Sequence, residues 1–146
     1  MSNKVERITI SVEAHLLAKF ENYLSVNGYP TRSEAIKSLM RQALIEQEWH
    51  QDTDVAGTIS LVYDHHKRGT LEKLVDVQHD FGSLIVCSQH VHLDHHNCME
   101  VLVVRGRAAE ILAILAKLKA VKGIKHSALM MATTGFLWLP TVSGSR

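Results

Sequence analysis

The chain is poor in the features that mark several large protein classes. Of its 146 residues only two are cysteine, Cys87 and Cys98. That is too few for a disulfide scaffold, and it points to a reducing cytoplasm. No apolar run approaches the roughly 18–20 residues that a membrane-spanning helix needs. The opening "MSNKVERITI" has neither the apolar core nor the small-residue cleavage site of a secretory signal. Charge of one sign is also missing. The formal net charge is +1, so no basic field covers the whole chain and any DNA-binding role has to rest on geometry. What remains, at 46% hydrophobic residues, is the composition of a folded protein with one ordinary domain or two small ones.

Histidine is the excess. Seven of the ten lie in one middle stretch: His65, His66, His79, His90, His92, His95 and His96. Four of them fall within the nine residues "HVHLDHHNC" at 90–98. A solvated histidine-rich face would explain scattered residues. Clustering on strand-like spacing beside a cysteine points to a metal site.

The periodicity divides the chain in two. "VERITISV" alternates, with Ile8, Ile10 and Val12 on one face and Arg7, Thr9 and Ser11 on the other, as a half-buried strand does. Leu16, Leu17, Phe20 and Leu24 then recur at helical spacing, with Gly28 as a stop. A second helix opens on a Thr31/Glu34 capping box and carries Ala35, Ile36, Leu39, Met40, Ala43 and Leu44. This strand–helix–helix unit, residues 1–48, cannot be completed alone, because its strand has no ladder partner. Pairing with the same strand of a second chain solves this and leaves Arg7, Thr9 and Ser11 facing outward.

Residues 49–55 read as a linker, 56–134 as a second domain, and 135–146 as a tail whose role the sequence leaves open. The second domain runs strand, helix, strand, strand, helix, strand, the order of a ferredoxin-like split βαβ fold. The expected fold class is therefore α+β, a dimeric N-terminal ribbon-helix-helix followed by a ferredoxin-like, ACT-type βαββαβ domain.

Strand parity sorts the ligands. His90 and His92 share a face, and the chain reverses after them so that Cys98 enters the neighbouring strand beside them. Two imidazoles and a thiolate make three ligands for a late divalent transition metal. Ligand type alone leaves zinc, nickel and copper open. Cys87, odd where the ligands are even, is expected on the opposite side with Ile85 as an inert, small apolar residue. His95 and His96 read as turn residues. Glu100 shares the face of Cys98 and suits an acceptor that orients a histidine ring. A fourth ligand is wanted, and nothing in the spacing brings His79 to the others within one chain.

The pattern His79-x10-His90-x-His92-x5-Cys98, downstream of "RITISV…GYPTRSEAI", resembles the nickel-responsive transcriptional repressors over about residues 5–134. These proteins join a ribbon-helix-helix DNA-binding domain to a ferredoxin-like metal domain and are tetrameric. The resemblance implies one Ni(II) per subunit, held square-planar by His90, His92 and Cys98 of one subunit and His79 of another. It places Tyr63 and Glu100 in the hydrogen-bonded surround. It implies base reading by Arg7, Thr9 and Ser11, phosphate binding at Arg32 and Ser33, and backbone contacts from Lys67 and Arg68, on a palindromic double-stranded operator. Repression of nickel-uptake genes by the nickel-bound form, with no enzymatic activity, follows from the same likeness. Two residues depart from the family pattern. Ser38 stands where some relatives have a carboxylate that, with the Glu34 position, holds a second cation, and Ser11 replaces the more usual threonine. The competing reading is a metal-storage or metal-chaperone protein that uses its N-terminal unit only to dimerise. A zinc hydrolase is disfavoured, because four protein ligands leave no position for water.

Overall fold

The computed structural model describes residues 5–135 and divides into two compact units that meet at Arg41 and Gln42. In the first unit the helix α1 spans Ala14–Val26, and α2, Arg32–His50, begins there and runs on into the second unit. Asn27 caps α1, donating its backbone N–H to Tyr23, and Gly28 follows at φ 69°, a left-handed turn that glycine adopts without strain. Thr31 starts α2 as the periodicity indicates, its Oγ1 accepting the Glu34 N–H at 3.2 Å.

The strand expected from Val5 to Val12 is absent. Residues 5–13 join no ladder, and Ile8 and Ile10 are 65% and 62% exposed. A strand exists through its ladder, and among the described residues this segment has no partner strand. Much of the helical stripe is uncovered too: Leu24 and Ala35 are buried, whereas Leu16, Leu39 and Met40 are exposed.

The second unit is better filled. After the end of α2 come β1 (Asp54–Asp64), α3 (Thr70–Asp80), β2 (Ile85–His92), β3 (Asn97–Arg107), α4 (Ala108–Lys119) and β4 (Ile124–Ala132). The strands form one antiparallel sheet in the order β2-β3-β1-β4. This is the split βαβ arrangement that the element order suggests. Alternation decides the core: Val55, Ile59, Leu61 and Tyr63 of β1, with Leu102 and Val104 of β3, are fully buried beneath Leu74 of α3 and Ile111, Ile114 and Leu118 of α4. On the other face Val62, Met99, Val101 and Val103 are only half-buried.

The stretch read as a linker, 49–55, contains the end of α2, a turn with Asp52 at φ 50°, and the first residues of β1. Trp49 is buried in the core and its indole N–H donates to the Ala132 carbonyl at 2.9 Å. Asp52 accepts the Ala109 N–H at 2.7 Å and pairs with Arg107, so this turn is fastened to the start of α4.

Cys87 corrects one expectation. The β2–β3 register shifts between Ile85 and Cys87: Ile85 pairs with Val104 on the helix-covered face, and Cys87 with Val103 on the other. The irregularity breaks simple parity, so Cys87 does not share the face of Ile85. It lies away from Cys98, as the odd–even argument required, but exposed instead of packed as an apolar residue.

Trp49 also explains Gly57. A Cβ there would lie 2.7 Å from the Met130 carbonyl oxygen and 3.2 Å from the Trp49 ring. Backbone on one side and a packed indole on the other leave nothing that can yield cheaply. Gly57→Ala should lower stability by about 1–3 kcal/mol, read as a reduced urea midpoint with an altered Trp49 emission.

Candidate metal centre

Register builds the centre. Tyr63 of β1 lies directly opposite Cys98 of β3, and Cys98 in turn faces His92 of β2, while His90 faces Glu100. Directly paired residues share a face, so all five project toward the helix-covered side at one end of the sheet. The alternation of "HVH" and the tight turn after His92 make this possible. Asp94 accepts the N–H groups of His96 and Asn97 at 2.7 and 2.8 Å, reversing the chain in time for Cys98 to return beside His92. Those bonds, led by the Asn97 side chain, hold the Asp94 carboxyl down at about 2.

The Cys98 sulfur lies 3.3 Å from His92 Nδ1 and 3.4 Å from His65 Nδ1. Adjacent ligand atoms on one ion stand roughly 3–3.5 Å apart when each is ~2.0–2.3 Å from the metal. Two imidazole nitrogens and a sulfur at these separations therefore fit a late transition-metal ion. Among the described residues this is the one trio of histidine, cysteine or carboxylate donors whose ligand atoms all lie within 4.8 Å of one another.

His65 went unrecognised in the sequence as a partner of Cys98. Its proximity comes from β1 pairing with β3 through Asp64↔Asn97 and from the bond of the His65 N–H to the His96 carbonyl. The available signal was a histidine pair directly after a strand, in the same histidine-rich region. Its imidazole is held below the usual histidine range, chiefly by burial and then by His66 and His92. It is therefore a neutral donor at pH 7.

His90 is displaced from the trio by a local interaction. Its ring stands 4.8 Å from that of His92, but its Nδ1 lies 3.1 Å from the Tyr63 hydroxyl. Burial, then the charges of Glu100 and Cys98, push the Tyr63 hydroxyl up to about 12, so it keeps its proton. It can donate to a free Nδ1, or accept from Nδ1–H once Nε2 serves as a ligand atom. Glu100, buried, accepts from the Gln78 amide at 2.8 Å, which ties α3 to this end of the sheet. His79, one residue on, is exposed and outside the trio.

The residues considered for DNA are placed as follows. Arg7, Thr9 and Ser11 are exposed in the segment before α1, and Ser33 is exposed in the first turn of α2. Arg32 forms a solvent-exposed ion pair with Glu21. Such pairs contribute little and exchange readily for a phosphate. Glu34 pairs with Lys37, and Ser38 accepts from the Tyr29 hydroxyl. Lys67 and Arg68 are exposed in the turn after β1, two and three residues beyond His65.

A ferredoxin-like domain carrying an imidazole–thiol donor set at one sheet end is the class these features define. The sequence profile of the NikR C terminal nickel binding domain matches residues 56–132. A protein bearing the name nickel-responsive regulator from Nitratidesulfovibrio vulgaris (strain DSM 19637 / Miyazaki F) is 45% identical over 130 residues, covering 88% of this chain and 94% of that protein. One of the same name from Thermococcus onnurineus (strain NA1) is 46% identical over 133 residues, covering 90% and 96%. The solved structure of an uncharacterized protein from Thermotoga maritima, at 14% identity and a TM-score of 0.50, covers 54% of this chain and 98% of that one, a likeness of fold alone. The chain belongs to the nickel-responsive regulator family.

The thiol sets the pH dependence. Burial first, then Asp94 and Glu100, hold the Cys98 thiol above its ordinary range, whereas a metal takes the thiolate. Binding must release that proton, so affinity rises with pH. Nickel affinity measured against a competing chelator should increase about tenfold per pH unit between pH 6.5 and 8. A profile equally steep in Cys98→Ala would remove the thiol from the ligand set.

Proposed function

We propose that the chain is a metal-dependent DNA-binding transcriptional regulator that represses nickel-uptake genes when Ni(II) is bound. Membership of the nickel-responsive regulator family supports the metal, and the donor set around Cys98 fits it. One observation carries the switching step. His65 touches the Cys98 sulfur and belongs to the same turn as Lys67 and Arg68.

In this reading His90, His92 and Cys98 of one subunit and His79 of a neighbour form the ligand set, one ion per subunit. Nickel held by these four side chains would tie elements of two subunits together. Cys98 would ligate as the thiolate, giving up its proton and either releasing or keeping its contact with His65. Either way the change acts on the 65–68 turn. His90 turns Nε2 to the site while Tyr63 holds Nδ1, and Gln78, bonded to Glu100, keeps α3 and thus His79 in register. Lys67 and Arg68 then meet the phosphate backbone.

Two features support a homotetramer built as a dimer of dimers. The 5–12 segment lacks a ladder partner and exposes Ile8 and Ile10, which a second copy would cover as a ribbon-helix-helix with residues 1–48. The sheet face bearing Val62, Met99, Val101 and Val103 is only half-buried among the described residues. Arg7, Thr9 and Ser11 on the ribbon would read base edges of a palindromic duplex in the major groove, with Arg32 and Ser33 on phosphate. Among the described residues no helix is long and apolar enough to cross a membrane.

A gel shift on the operator tests the reading. Cys98→Ala should abolish the nickel-dependent gain in DNA binding, where each tenfold gain corresponds to about 1.4 kcal/mol of coupling. The double variant Arg7→Ala/Thr9→Ala should lose DNA while keeping its nickel. A storage protein would bind no operator with either sequence. Lys67→Ala/Arg68→Ala should lower the slope of log affinity against log salt by about 1.8 for each subunit whose turn contacts DNA, at ~0.9 for each phosphate no longer neutralised.

A further inference from the structure

Three exposed histidines that the centre does not use stand together on the neighbouring surface. His66 comes from the turn after β1, and His95 and His96 from the turn between β2 and β3. Their ring centroids form a triangle, with His66 at 5.5 Å from His95 and 5.4 Å from His96, and those two 5.1 Å apart. The two turns are fastened to each other. His66 Nε2 donates to the His95 carbonyl at 2.9 Å, and the His65 N–H donates to the His96 carbonyl at 3.2 Å. Each turn is also closed on itself by an aspartate: Asp64 accepts the His66 N–H at 3.0 Å, and Asp94 that of His96. The backbone carrying the three rings is thereby set before any ligand arrives.

We propose that His66, His95 and His96 form a second, thiol-free site for a late divalent transition-metal ion. An imidazole nitrogen ~2.0–2.1 Å from a metal puts its ring centre roughly 3 Å from the ion, so rings sharing one ion have centres roughly 4.5–5.5 Å apart. The triangle matches that spacing. Its nitrogen atoms do not yet converge, since the trio that does is His65, His92 and Cys98. Closing it needs rotation of exposed rings about their own side-chain bonds, with release of His66 Nε2 or use of its Nδ1. Nitrogen-only donors suit nickel, copper and zinc. With exposed rings and no thiolate, this site is weaker than the Cys98 centre. The two share no residue but adjoin, the His65 and His66 rings being 4.0 Å apart. An ion held at the triangle lies beside the half-buried His65, through which it can be passed to the Cys98 sulfur.

The test is equilibrium dialysis of the untagged full chain against nickel, with bound metal counted by atomic emission. His66→Gln/His95→Gln/His96→Gln should bind one ion fewer per chain than the unaltered protein, with its thiolate–nickel absorption unchanged. Cys98→Ala should lose that absorption yet keep the histidine-dependent ion. Equal metal content in the triple variant and the unaltered protein overturns the proposal, and so does loss of all bound nickel in Cys98→Ala. Neither result bears on whether Cys98 couples nickel to DNA, which the absorption band and the gel shift report separately.

Discussion

The pairing of β1 with β3, Tyr63 opposite Cys98, is the constraint from which the rest of the second unit follows. Its register puts Cys98 and Glu100 on the face that the helices cover. A slip of one residue would turn both to the other side and bring Asn97 and Met99 into their places. The same register carries the chain beyond Asp64 alongside the turn that follows β2, and so sets His65 against the sulfur. Hydrophobic alternation holds it. Val55, Ile59 and Leu61 on β1 and Leu102 and Val104 on β3 are fully buried only in this alignment.

Around the thiol the polar groups are arranged to restrain ligands as well as to supply them. Tyr63 keeps its proton and holds the inner nitrogen of His90, and Gln78 fixes Glu100 from α3. Side chains that hold a metal's ligands tune its affinity as strongly as some ligands do. They also join the centre to α3 and to the turn that begins it, the parts of the unit nearest Lys67 and Arg68. Movement at the sulfur therefore has a short route to two cations, one 3.4 Å contact to His65 and then at most three residues of chain.

The two units differ in how far one chain can complete them. The second buries a contiguous core under α4. The first, among the described residues, leaves 5–13 outside any ladder and several large apolar side chains in solvent, the balance on which the proposed pairing with a second copy rests.

Much of this was readable from residue order. Period-two and helical patterns located the elements of the second unit, and "HVH" followed by a reversing turn and a cysteine identified His92 and Cys98 as neighbours. Those features are local, and local geometry decides them. Three others needed the folded chain. His65 reaches the sulfur across 33 residues of sequence, through a ladder whose register depends on the whole core. The irregularity at Val86 moved Cys87 off the face of Ile85, because a shift in pairing depends on the partner strand. The triangle of His66, His95 and His96 joins two turns that only the sheet brings together. Ligand types and their spacing lie in the sequence, because they follow from side-chain chemistry and the strand repeat. Which of those ligands meet was decided by tertiary pairing.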